Sequence, residues 1–176
     1  MSMYPIASSV KADSLGYGFD FTNLPQTYTH LQVRVFARSA TSSYDSFRCN
    51  FNADVTNANY YNHYMSGNGT AGVATAGQSV AGSVGLVSAS MPITTSLANT
   101  FATYIVEILD YTNTNKYKSV KVFGGWDDNN VSTTNGNICM NSYVWKNTAA
   151  INNITLAGFN LIAAGTRVDI YGIKAA

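Results

Sequence analysis

Between His30 and Arg38 the chain reads HLQVRVFAR, and apolar and polar side chains change places at almost every step. Successive side chains of a strand point to opposite faces, so Leu31, Val33, Val35 and Ala37 share one face, with Gln32, Arg34 and Arg38 on the other. Phe36 breaks the polar face and marks a second covered surface, either a facing sheet or an interface. The same vocabulary recurs along the whole chain. Glu107 is the only glutamate, strong helix formers are scarce, and runs rich in Val, Ile, Thr, Tyr and Phe are broken by Asn, Gly and Ser.

Leu15, Tyr17, Phe19 and Phe21 alternate with smaller or polar residues and predict a strand with four bulky groups on one side. Pro25 then interrupts the extended run, because it lacks the donor an interior strand needs. Phe47, Cys49 and Phe51 repeat the period of two, and the tyrosine-rich segment 60–65 predicts a further strand. Residues 66–85 change to Gly, Ala, Ser and Thr, which fits a long loop or a flat pair of small-residue strands. Short strands are expected at 85–88, 101–111, 119–126, 137–145, 151–156 and 167–173. Eight to ten strands at this spacing predict an all-β fold, an antiparallel β-sandwich or barrel. Residues 15–176 form one domain in this reading, and residues 1–14 are either an arm or a first edge strand.

The 176 residues are enough for one domain with a sizeable core. Ten basic and nine acidic residues leave a net charge of +1, too weak a field to gather phosphates or anionic lipid, so no nucleic acid is expected as a partner. Charged residues make up only 11% of the chain, against roughly 25% in an ordinary soluble domain. A surface so poor in charge points to partners that cover it permanently. The apolar runs are too short for membrane insertion, and no basic segment followed by an apolar one opens the chain, so synthesis in the cytoplasm is expected.

Chemistry is hard to find. Cys49 and Cys139 do not form a close-spaced pair, which disfavours a metal or redox motif and leaves two buried thiols or one disulfide. His30 and His63 lack a second ligand at metal spacing. Glu107, Asp110, Asp127 and Asp128 are the carboxylates that could in principle pair to cleave a glycosidic bond, and Asp127 to Asn130 could make a weak calcium turn. No nucleophile elbow, phosphate loop or dinucleotide fingerprint is present. The expectation is a protein without catalytic residues, cofactor or metal.

What stands out instead is an aromatic and apolar inventory. Phe36, Tyr60, Tyr61, Tyr64, Trp126, Tyr143 and Trp145 are candidates for an interface or for contact with sugar rings, since such groups offer large rigid area with a polar tip. Tyr4, Ile6 and Val10 are the isolated anchors of the N-terminal segment. Alternation from Cys139 to Trp145 places Cys139, Tyr143 and Trp145 on one side and Met140 and Val144 on the other, so at least one of those sides must be covered by something other than solvent.

The chain as a whole resembles a family of small phage virion proteins built on a jelly-roll-like β-sandwich. The resemblance is carried by Ile6-Ala7-Ser8-Ser9, by Phe21 to Leu31, by Arg38-Ser39, and by Arg48 to Asp54, where the family usually has Arg-Phe-Asn-Gly-Asp. It continues through Asn59 to His63, Asn99-Thr100-Phe101, Ile108 to Tyr111, Thr114-Asn115-Lys116, Trp145 to Leu156 and Tyr171-Gly172-Ile173. Cys49 and Ala53 depart from the pattern. The resemblance implies a virion location and a structural role, as a capsid decoration or cement protein or as a tail or fibre component. The partners expected are further copies of the chain, as a trimer, and the major capsid protein or other virion proteins. The alternative is a module that binds host surface glycan through Tyr60, Tyr61 and Tyr64.

Overall fold

A computed structural model describes residues 2–68, 71–78, 86–128 and 136–175. Twelve strands are found there: β1 (Ser2–Val10), β2 (Gly16–Phe21), β3 (His30–Ala37), β4 (Ser46–Phe51), β5 (Tyr60–Gly67), β6 (Gly72–Gln78), β7 (Leu86–Ser90), β8 (Ala102–Leu109), β9 (Lys118–Asp127), β10 (Gly136–Trp145), β11 (Ile154–Ile162) and β12 (Arg167–Lys174). All pairings are antiparallel. One sheet has eight strands in the order β1-β12-β3-β8-β9-β10-β5-β6, and the other has four in the order β2-β11-β4-β7.

The protein is thus an all-β antiparallel sandwich. If the hairpins β5–β6 and β9–β10 are set aside, the larger sheet keeps the order β1-β12-β3-β8 and the smaller one β2-β11-β4-β7. The two hairpins both extend the larger sheet beyond β8, so that it outgrows the sheet facing it.

Two alternatives left open by the sequence fall on the strand side. β1 is an edge strand paired only with β12, so little of it is covered, and its apolar residues do not alternate over a strand's length. β6 consists of small residues and pairs with β5, which resolves 72–78 as strand; residues 79–85 lie outside the described set. Leu15 and Tyr17 do not join Phe19 and Phe21 in the interior and remain exposed. Pairing of β2 with β11 slips between Ala157 and Ile162, so the alternation does not continue into cover at that end.

The core follows the period of two. Leu31, Val33, Val35 and Ala37 are all buried, as are Ala102, Tyr104, Val106 and Ile108 beside them on β8. Phe51 of β4 stacks on Tyr143 of β10 at 6.2 Å and meets Trp145 at 5.6 Å, which ties the smaller sheet to the extension of the larger one. Ring pairs of this kind add about 0.5–1.5 kcal/mol to the area they bury.

Many of the motif residues hold turns. The Arg38 guanidinium donates to the carbonyls of Ile93, Ser96, Leu97 and Thr100 at 2.9–3.1 Å and so clasps the 93–100 loop to the end of β3. Asn52 donates to the Ala150 carbonyl at 2.8 Å, and its own side-chain oxygen accepts from the backbone of Asn152 and Asn153. Asp54 accepts from Trp145 Nε1 at 2.7 Å and from Asn59 at 2.8 Å. Lys118, fully buried, donates to the carbonyls of Asn113, Lys116 and Thr148. Gly172 lies under the Tyr28 ring, where a Cβ would sit 2.3 Å from a ring carbon.

Ala53 has φ 54°, in the left-handed region. A Cβ costs energy there and glycine does not. Ala53→Gly is therefore expected to raise stability by roughly 0.5 kcal/mol, the relief of strain outweighing the added chain entropy, as a shift in the urea midpoint at constant slope.

Acid should unfold the protein through two aspartates. Lys116, hydrogen-bonded to Asp110, and then the nearby His30 hold the Asp110 carboxyl below the usual range, against a smaller opposing effect of burial. Arg167 does the same for Asp169, helped by Ser8 at 2.5 Å. A carboxylate with a lowered native pKa stabilises fully above its unfolded value of about 3.9 and loses that contribution as pH falls through the native value. Stability should accordingly hold near pH 5 and decline from about pH 4 downward, with a shallower decline in Asp169→Asn, read from denaturant midpoints across pH.

Candidate functional site

The eight-stranded sheet has one face on the core, and its other face carries an uncovered apolar row. Register fixes the row: Arg34 of β3 lies opposite Ile105 of β8, Ile105 opposite Phe123 of β9, Phe123 opposite Met140 of β10, Met140 opposite Met65 of β5, and Met65 opposite Ala74 of β6. Ile105 is 41% exposed, Phe123 53%, Met140 54% and Met65 54%. Ile138, at 58%, and Phe36, at 45%, stand in the adjoining row. Large apolar groups gathered on one face of a sheet, rather than scattered singly, mark a surface that another molecule covers.

Beside the apolar row runs a polar one, in which Gln32, Glu107, Lys121, Ser142, His63 and Ala76 are successive cross-strand neighbours. The two rows line a basin of about 900 Å³ that opens to solvent, with Ile105, Phe123, Met65 and Met140 on one side and Glu107, Lys121 and His63 on the other. Its side chains can remove apolar area from water and orient a partner by a few polar contacts. That is binding chemistry.

The candidates chosen from the sequence divide sharply. Tyr60, Tyr143 and Trp145 are 1%, 3% and 0% exposed and belong to the core, a correction to their place among surface candidates. Their parity turns them inward, where Trp145 donates to Asp54 and the Tyr60 hydroxyl donates to the Asp54 carbonyl. Trp126 is half-buried against the core and donates to Ser90 Oγ at 3.2 Å. Tyr64 is half-buried on the inward side of β5. Tyr61 is exposed, but the Lys146 ammonium lies 4.2 Å above its ring.

On β1, Tyr4 and Val10 are exposed and Ile6 is partly buried against the core. Phe36 is exposed on the outer face, with no facing sheet over it among the described residues. Ile105, Phe123, Met65 and Met140 were missed as a group. Each was visible as an apolar residue out of phase with its strand's buried set, yet only the pairing of four strands shows that they adjoin.

The carboxylates are occupied separately. Asp110 pairs with Lys116, its backbone N–H donates to His30 Nδ1 at 2.9 Å, and Asp128 accepts from the Leu97 backbone at 2.6 Å. Glu107 sits on the outer face beside Lys121. Of the proposed calcium turn, Asn129 and Asn130 lie outside the described residues. Among the described residues no group of three or more His, Cys, Asp or Glu side chains is placed to hold a metal ion. No helix among them is long and apolar enough to cross a membrane.

Cys49 and Cys139 are free and buried rather than joined. Burial pushes the Cys49 thiol up to about 12, the Tyr143 hydroxyl offsetting it only in part, and pushes Cys139 up to about 11. The thiolate is the nucleophile, so both should be inert at neutral pH. An aromatic disulfide reagent is expected to release no chromophore from the native protein and two equivalents after denaturation.

No protein-family model and no curated protein matches the sequence.

Proposed function

We propose that this protein is a structural component of a phage particle, a capsid decoration or cement protein that binds the capsid surface as an oligomer. The observation that carries this reading is the apolar row Ile105–Phe123–Met140–Met65 on the uncovered face of the large sheet. It is supported by the low charge of the chain, by a strand order like that of a jelly roll and by the resemblance of its motifs to those of small phage virion proteins. Each contact gains about 25 cal/mol per Å² of apolar surface withdrawn from water, less the cost of ordering, and repetition over a shell makes modest contacts strong together.

The alternative, a tail or fibre module for host glycan, has weaker support. Tyr60 is inside the core, and Lys146 covers one face of the Tyr61 ring.

Phe123→Asp tests the proposal, because it places a charge in the middle of the apolar row without touching the core. Wild-type protein is expected to run as an oligomer in light scattering and to add to undecorated phage heads. The variant should keep its β-sheet circular dichroism yet lose both properties. A wild-type chain that stays single and does not add to heads overturns the proposal.

A further inference from the structure

The outer face is complementary to itself. Six of its eight strands run β3-β8-β9-β10-β5-β6, and the line between β9 and β10 divides these six into two halves of three. The first half presents Phe36, Arg34, Ile105, Phe123, Glu107 and Lys121. The second presents Gly67, Gly72, Ala74 and Ala76 beside Ile138, Met140, Met65 and His63. One half is tall and charged; the other is mostly low, with two flexible methionines.

We propose that two copies pack these faces together about a two-fold axis lying along that line, so that the tall half of each covers the low half of the other. The inference rests on the reading of the face as an assembly surface and names its partner as a second copy of this chain. A two-fold contact uses one patch twice, and a residue that meets a second residue must be met by it in return. Rotation about this axis keeps every cross-strand row in register and exchanges β9 with β10, β8 with β5, and β3 with β6.

The rows then match one by one. Phe123 faces Met140 of the second copy, and Ile105 faces its Met65, two pairings in which the adaptable methionine side chain accommodates a rigid one. Ile138 faces Gly125 and Phe36 faces Gly72, so bulky groups meet positions without a side chain. In the polar row Glu107 faces His63 and Lys121 faces Ser142. No like charges are opposed in these rows, and Glu107, the carboxylate of the polar row, meets an imidazole that can donate to it. A fourth row, Leu109-Ser119-Val144-Tyr61, sets Leu109 opposite Tyr61 of the second copy. Six strands about 4.8 Å apart with four rows about 6.7 Å apart span roughly 24 by 20 Å, the scale of a stable interface of ~800 Å² per partner once side-chain relief is counted.

Sedimentation equilibrium of the full chain at neutral pH tests the pairing. Wild type is expected as a dimer. His63→Glu sets two carboxylates against each other twice per dimer and should weaken association by at least about tenfold. Adding Glu107→Lys to it should bring association back to within about threefold of wild type, while thermal melts confirm that every variant folds. A double variant no tighter than His63→Glu alone overturns the two-fold register, even if wild type associates and decorates heads. A mass of three chains overturns it as well, and so does a chain that is single in solution yet adds to heads; both leave the assembly reading standing. A wild-type chain that neither associates nor adds to heads removes the two together.

Discussion

An eight-stranded sheet has two faces, and this chain supplies a second layer for part of only one of them. Four strands cover the inward side of the larger sheet, and nothing among the described residues lies over its outward side. Strand geometry makes the imbalance unavoidable, because hairpins added beyond β8 lengthen the large sheet without adding to the small one. Each further strand must place half its side chains outside. Here many of those places carry Ile, Phe and Met, where a solvated face would carry Lys, Glu and Thr.

The inward side shows what such packing requires. Among the described residues the buried positions are mostly apolar, and several of the polar groups among them are satisfied at turns. Arg38 and Lys118 illustrate this: each cation gathers backbone carbonyls from loops that would otherwise leave those acceptors unsatisfied. The motif residues therefore serve mainly as fasteners of loop to loop, which accounts for why short, scattered motifs accompany a particular chain path rather than a particular chemistry.

The fold class was legible from the sequence because alternation is local. In β3 the phase of Leu31, Val33, Val35 and Ala37 matched burial residue by residue. The phase of a lone strand does not reveal which side its sheet will cover, so Tyr60, Tyr143 and Trp145 read equally well as contact groups and as core. β1 and β6 were left open between strand and arm or loop, for opposite reasons. One is an edge with little to bury, and the other is built of residues too small to show a pattern. The apolar row was illegible in principle, since its members come from four strands spread between residues 65 and 140 and meet only through register.

The margins of the large sheet differ as much as its faces. β1 bears Pro5, which has no backbone donor, and its pairing with β12 slips just after that residue, so this border offers a poor template for another strand. β6 is the opposite border among the described residues. Of the two rims the β1 side is thus the one closed to a further strand, which removes one route to side-by-side growth in a chain with so little charge to keep its copies apart.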